Sequence, residues 1–171
     1  MTVVGVVSDT HGQFDPYLHD LFEGVEHILH GGDVGPESIL DEFETIAPAS
    51  AVRGNTDLSL SEARFPIYRY QEVGGFGFLL THIIDDPTDP ETELRRHLEL
   101  RGPRVVIYGH THQHRAIESE GVLFLNPGSA GPKRFRLRRT ACLLHLGDEG
   151  PRPTFYDLEL RTPIETDEDS R

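Results

Sequence analysis

Five short apolar runs in this chain each lead directly into glycine or into side chains of metal-ligand type. TVVGVVS (2–8) is followed by Asp9 and His11, and HILH (27–30) by Gly31, Gly32 and Asp33. SAVR (50–53) leads to Gly54 and Asn55, FGFLLT (76–81) to His82, and RVVIY (104–108) to Gly109, His110 and His112. Apolar runs of strand length are expected of strands buried on both faces. In α/β sheets, sites assemble where the strands end, and glycine there lets backbones approach closely. Singly these signals are weak. A Gly-Asp pair is usually a turn, and a lone histidine at a strand end is usually a satisfied structural residue. Five loops in a row reverse that reading.

Helical spacing fills the gaps between the runs. In FDPYLHDLFEGV (14–25), Phe14, Tyr17, Leu18, Leu21, Phe22 and Val25 recur at three-four intervals. PESILDEFETIA (36–47) has Pro36 near its start and Ile39, Leu40, Phe43, Ile46 and Ala47 on one face. DPETELRRHLEL (89–100) offers Asp89 as N-cap and Pro90 at the first helical position. IYRYQEV and FGFLLTH, joined through Gly74 and Gly75, form an expected hairpin. From residue 114 onward the pattern turns to strands: HRAIE, VLFLN, TACLLHL and PTFYDLEL. The order predicts an α/β core, with parallel strands early and antiparallel ones late.

The 171 residues suffice for one domain with a substantial core, expected over 1–162, with an acidic disordered tail over 163–171. No apolar run reaches the roughly 18 residues of a transmembrane helix, and MTVVGVVSDTHG lacks the basic and apolar regions of a signal peptide. The single Cys142, in an apolar segment, reads as a buried small hydrophobe. A cytoplasmic location is the expectation. A formal net charge of −13 disfavours general nucleic-acid binding, and no membrane contact is expected. Lys133 is the one lysine among sixteen basic residues, and such an acidic, lysine-poor chain suits high salt, where self-repulsion is screened. KRFRLRR (133–139) alternates Arg134, Arg136 and Arg138 with Phe135 and Leu137, which fits a strand with one charged face paired to acidic neighbours.

The ligand inventory is Asp9, His11, Asp33, Asn55, His82, His110 and His112. One metal leaves several of these buried groups unpaired, at about 1–3 kcal/mol each. Two metals sharing a bridging carboxylate accommodate all seven. The imidazole, carboxylate and amide mixture favours Mn, Fe, Zn or similar over Mg or Ca. His110, His112 and His114 alternate in GHTHQH, and His114 has no slot in the set.

The ordered motifs DTH (9–11), GGD (31–33), GN (54–55), TH (81–82) and GHTH (109–112) resemble those of the calcineurin-like metallophosphoesterase superfamily. Within it the chain is similar to the small YfcE-type phosphodiesterase branch, which adds a loop read here as NPGS (126–129). The resemblance implies a four-layer α/β/β/α sandwich. It implies that Asp9, His11 and His112 bind a first metal, that Asn55, His82 and His110 bind a second, and that Asp33 bridges. Manganese is the first expectation, with Ni, Zn, Fe and Mg as alternatives. NPGS is implied to be structural. His30 reads as an ordinary structural residue whose place just before GGD suits it to support Asp33.

Two cations about 3.5–4 Å apart lower the pKa of a bridging water, and the resulting hydroxide attacks phosphorus in line. Asp33, Asn55 and His110 then act by positioning hydroxide and phosphate through the metals. Two divalent cations outweigh two carboxylates, so the site can be positive on an acidic protein. Thr56 stands where larger relatives carry a histidine, which leaves the general acid unassigned. His114 is either a rim residue or the proton donor to the leaving group. Ile83 stands where the family usually has glycine, and a β-branched residue disfavours positive φ. The implied substrate is a small phosphodiester. Alternatives are a nuclease or phosphomonoesterase with the same metals, or a non-catalytic scaffold of the same fold. A homo-oligomer is compatible with the sequence.

Overall fold

The computed structural model describes residues 2–165. The first half runs β1 (Thr2–Val7), α1 (Tyr17–Leu21), β2 (His27–His30), α2 (Ser38–Glu44), β3 (Ala49–Ala51), β4 (Arg69–Val73) and β5 (Phe76–Leu80). The second runs α3 (Thr92–Arg101), β6 (Val105–Ile107), β7 (His114–Ser119), β8 (Val122–Pro127), β9 (Thr140–Gly147), β10 (Gly150–Asp157) and β11 (Thr162–Pro163).

The strands form two sheets, ordered β11-β10-β9-β1-β2-β3 and β4-β5-β6-β8-β7. β1, β2 and β3 pair in parallel, as do β5, β6 and β8, while β4–β5, β7–β8 and β9–β10 are antiparallel. Alternation along the strands builds the layers, because successive side chains point to opposite faces. Val4 and Val6 of β1 and Cys142, Leu144 and Leu146 of β9 face Phe78, Leu80, Val105, Ile107 and Leu125 across the seam between the sheets. On the outer face of the first sheet, Val7, Ile28 and Ala51 meet Leu18, Phe22, Ile39, Leu40 and Phe43. On the outer face of the second, Leu79, Val106 and Phe124 meet Leu94. The architecture is the four-layer α/β/β/α sandwich.

Four local expectations are corrected. α1 is one short turn, since Phe14 precedes it and packs from a loop on Phe43 at 5.0 Å. α3 starts at Thr92, after an extended Glu91. Upstream, Asp86 captures the Thr88 amide and hydroxyl, and Asp89 is drawn to Arg95 at 3.0 Å. Residues 133–139 form turns and no strand, closed by Leu137 N donating to Arg134 O at 3.0 Å. Finally, the tail is ordered at its start: β11 pairs with β10, and Ile164 packs on the central seam. The rest of the expected disorder, residues 166–171, lies outside the described residues. Among the described residues, no helix is long and apolar enough to cross a membrane.

Candidate metal centre

Parallel pairing puts the carboxyl ends of β1, β2 and β3 at one edge of their sheet and those of β5 and β6 at one edge of the other. The loops beyond β1 and β2 continue the pairing. Asp9 N donates to Gly32 O, His11 N to Asp33 O and Gly12 N to Val34 O, each at 2.9 Å. From the facing sheet, Gly109 N donates to His82 O at 3.0 Å, tying the two remaining ligand loops together.

Each central carboxylate gives one oxygen to this scaffold and leaves the other toward the histidines. Asp9 Oδ2 accepts from Ser8 Oγ at 2.7 Å and His110 N at 3.1 Å. Asp9 Oδ1 lies 3.1 Å from His112 Nε2 and 3.9 Å from both His11 Nε2 and His82 Nε2. Asp33 Oδ1 accepts from Thr56 N at 2.9 Å. Asp33 Oδ2 lies 3.4 Å from His82 Nε2 and 3.8 Å from His11 Nε2.

His82 shows why a cation would fit here. Its Nδ1 sits 2.7 Å from the Gly31 carbonyl and must donate to it, which leaves Nε2 a lone pair facing Asp33. A lone pair and a carboxylate oxygen repel unless a proton or a metal lies between them. Asp9 Oδ1 and His82 Nε2 are buried without a hydrogen-bond partner among the described residues, and such orphaned groups cost about 1–3 kcal/mol each. The groups Asp9, His11, His112 and Asp9, Asp33, His82 each converge closely enough to share an ion. The nitrogen and oxygen donor set therefore fits divalent metal. Asp9 belongs to both groups, so both carboxylates lie between the histidines. Asn55 and His110 stand at the rim as a pair, His110 Nδ1 to Asn55 Oδ1 at 3.1 Å, with the His110 ring 5.4 Å from that of His82.

The protonation balance follows the same geometry. Burial opposes charge on Asp9, but the His112 contact, the His82 charge and the Ser8 hydroxyl hold its carboxyl below the usual range. Burial is likewise outweighed at Asp33, which His82 and Thr56 hold well below it. At His82, burial is outweighed by Asp33 and Asp9, and its pKa rises. At His11, burial dominates and lowers it. A cation held here would compete with the proton that His82 favours, and would meet carboxylates already ionised.

The supporting residues were only partly legible. His30 is fully buried, and burial pushes its pKa down to about 4. Neutral, it accepts from Gly32 N at 3.1 Å on Nδ1 and donates to Thr10 Oγ1 at 2.9 Å from Nε2, which holds the loop that carries Asp33. NPGS ties loops behind the centre: Asn126 Nδ2 donates to Gly109 O at 2.8 Å and Ser129 Oγ to Asp9 O at 3.0 Å. Asp57 escaped the sequence reading. It accepts from Val34 N at 2.9 Å, Gly35 N at 3.0 Å and Gly54 N at 2.8 Å, clamping the second loop to the third. The available signal was its place three residues after Gly54, where an aspartate caps a turn. Thr56 contributes its backbone to Asp33. Ile83 avoids positive φ and is partly exposed. His114 opens β7 with its ring 5.0 Å from that of Phe155 and with Arg138 and Asp157 as its charged neighbours, so the fold does not bring it to the ligand cluster.

Strain concentrates on the candidate ligands. Asp9, His11, Asp33, His110 and His112 have φ of 54°, 46°, 53°, 70° and 60°. Non-glycine residues rarely adopt this left-handed region, at a cost of order 1 kcal/mol or more each. Such backbone persists where surrounding structure fixes it, here the interloop hydrogen bonds.

Known proteins resemble this chain. The calcineurin-like phosphoesterase superfamily domain matches residues 1–149. A probable metallophosphoesterase of Methanothermobacter thermautotrophicus is 39% identical over 133 residues, covering 74% of this chain and 76% of its own. A phosphodiesterase of Methanocaldococcus jannaschii is 30% identical over 142 residues, covering 73% of this chain and 82% of its own. The structure of Vacuolar Protein Sorting 29 from Cryptosporidium parvum superposes with a TM-score of 0.76 at 22% identity, covering 95% of this chain and 94% of that one, a likeness of fold. With its strand-end ligand loops and paired carboxylates, the chain belongs to the calcineurin-like phosphoesterase superfamily.

Proposed function

We propose that this chain is a phosphodiesterase dependent on two divalent metal ions and acting on small phosphodiesters in the cytoplasm. The observation that carries the reading is the pair Asp9 and Asp33, each with one oxygen fixed by the scaffold and the other turned among imidazole nitrogens. Asp9, His11 and His112 are assigned to one ion and Asn55, His82 and His110 to the other, with Asp33 shared. The chemistry supplied by such a pair is Lewis acidity, which activates water at neutral pH and neutralises charge on phosphoryl oxygens.

The chain's own residues do the rest. The loop hydrogen bonds fix the carboxylates before substrate arrives, so little reorganisation accompanies the reaction. Asn55 is neutral and exposed, so it can hold an ion without cancelling its charge. A net charge of −13 argues against a nucleic-acid partner. The likeness to Vacuolar Protein Sorting 29 raises a scaffold as the second reading. Retention of all seven ligand types, five of them on strained backbone, favours catalysis, since a pure scaffold has no use for either.

The test is hydrolysis by chelated protein reloaded with Mn, Ni, Zn, Fe or Mg, using bis-p-nitrophenyl phosphate, p-nitrophenyl phosphate and cyclic nucleotides. Diester turnover with manganese foremost is the expected result. Faster turnover of the monoester assigns a phosphomonoesterase, and no hydrolysis with any metal leaves the scaffold.

A further inference from the structure

The loop after NPGS carries an arginine that the metal assignment does not use. Of the basic residues in KRFRLRR, Lys133 meets Glu159 at 2.7 Å, Arg138 meets Asp157 at 3.9 Å and Arg139 meets Asp15 at 2.8 Å. Arg134 faces no carboxylate among the described residues; its Nη2 lies 3.3 Å from His11 Nε2, on the ligand cluster itself.

The loop is built to put it there. Its base is fixed by Arg139, which donates to Gly131 O at 2.7 Å and Ala130 O at 2.9 Å, and by Thr140 N donating to Ser129 O at 2.8 Å. Ser129 in turn holds the Asp9 carbonyl, so the loop and the first ligand share one support. At its tip Phe135 takes φ of 51° while its ring is 96% exposed. Left-handed backbone at a bulky residue is unfavourable, and no burial of that ring offsets it. The turn breaks the strand alternation that the sequence alone predicts.

We infer that Arg134 is a substrate-positioning residue that binds a phosphoryl oxygen of the phosphodiester; this rests on the proposed hydrolytic reading. The His11 Nε2 lone pair can face the guanidinium or a metal ion, not both. With metal on His11, the guanidinium is left beside a cation, without a carboxylate of its own. The anion that the chemistry brings to that position is the substrate's phosphate, whose oxygens the planar guanidinium fits through two parallel N–H groups.

The experiment compares wild type, Arg134→Lys and Arg134→Gln as full-length, manganese-loaded proteins. Steady-state hydrolysis of bis-p-nitrophenyl phosphate, inhibition by inorganic phosphate and manganese titration are measured for each. Arg134→Gln is expected to raise KM and the inhibition constant for phosphate together, by about tenfold or more, with a smaller fall in kcat and an unchanged manganese midpoint. Arg134→Lys recovers part of the loss by keeping the charge without the fork. Unchanged KM and inhibition constants overturn the inference, and so does a weakened manganese midpoint that accounts for the change in KM. If wild type turns over no diester, the hydrolytic reading fails by itself. Calorimetric binding of inorganic phosphate to the loaded proteins then still decides the role of Arg134, by its loss or retention in Arg134→Gln.

Discussion

The two ends of the sandwich use left-handed backbone in opposite ways. At the end away from the site, it falls on glycine: Gly24 before β2, Gly74 and Gly75 between β4 and β5, Gly102 after α3, Gly121 before β8 and Gly150 at the start of β10, with Glu120 the exception. At the ligand end it falls on Asp9, His11, Asp33, His110 and His112, on Phe135 and on Arg161 before β11, as well as on neighbouring glycines. The distal turns only reverse the chain, and glycine does that without steric cost. The ligand loops must reverse the chain and present a side chain at the same residue. The strain is tolerated because the loops are cross-bonded to one another and close-packed. A Cβ at Gly54 would collide with the Asp33 carboxylate and backbone, and one at Gly32 would lie 2.6 Å from His82 Nδ1.

Removing a ligand tests the functional half of that contrast and carries the largest effect. Asp33→Asn and His82→Ala should each lower diester turnover by more than about a hundredfold and weaken manganese binding in parallel. Either variant at full activity overturns the site.

Next in size is the pH response of the support beneath the ligand loops. The folded pKa of His30 is about 4, below its ordinary value of 6.5. As pH falls, the unfolded chain takes the proton first. The stability this represents is therefore present in full above pH 6.5 and is lost as pH falls toward 4, by about 3 kcal/mol. Urea unfolding of metal-free protein across that window should show the loss, and His30→Gln should flatten it. Equal slopes in the two proteins would remove His30 from the account.

A methyl group separates the two ends more directly. Gly54→Ala should cost about 2–3 kcal/mol, because backbone and carboxylate must shift to admit it. It should also impair metal binding. Gly75→Ala meets open space and should cost only about 1 kcal/mol from its φ of 80°, leaving metal affinity untouched. Equal costs at the two positions would mean that the ligand loops are looser than their hydrogen bonds imply.

The smallest effect isolates the strain. His110 is exposed and has φ of 70°, so little packing is lost on replacing it. In metal-free protein His110→Gly should be more stable than His110→Ala by about 1 kcal/mol, while both lose activity. The difference in urea midpoints reads this directly, and no difference would place the strain elsewhere.

The layered fold was largely legible because its signals are local. Val4 and Val6 alternate with Val3 and Val7, and each ligand sits within a few residues of an apolar run that must be a strand. Misreadings came where distant partners outcompeted local preference. Asp89 is a fair N-cap by sequence, yet it goes to Arg95 while Asp86 organises the turn before it. KRFRLRR alternates as a strand should, but three of its basic residues pair with Asp15, Asp157 and Glu159 from other elements and hold it as a loop.

Sequence by itself determined which residues stand at strand ends and what chemistry they offer, because a buried strand and its loop are encoded within about ten neighbouring positions. Only the tertiary structure decided which ligands meet. Asp9 reaches the His110 amide across 101 positions, and Asp57 joins two loops through three backbone amides that no pattern marks. It also decided that Arg134 turns toward His11, and that five candidate ligands hold strained backbone. Those outcomes depend on contacts between separate loops, and such contacts exist only once both sheets have packed.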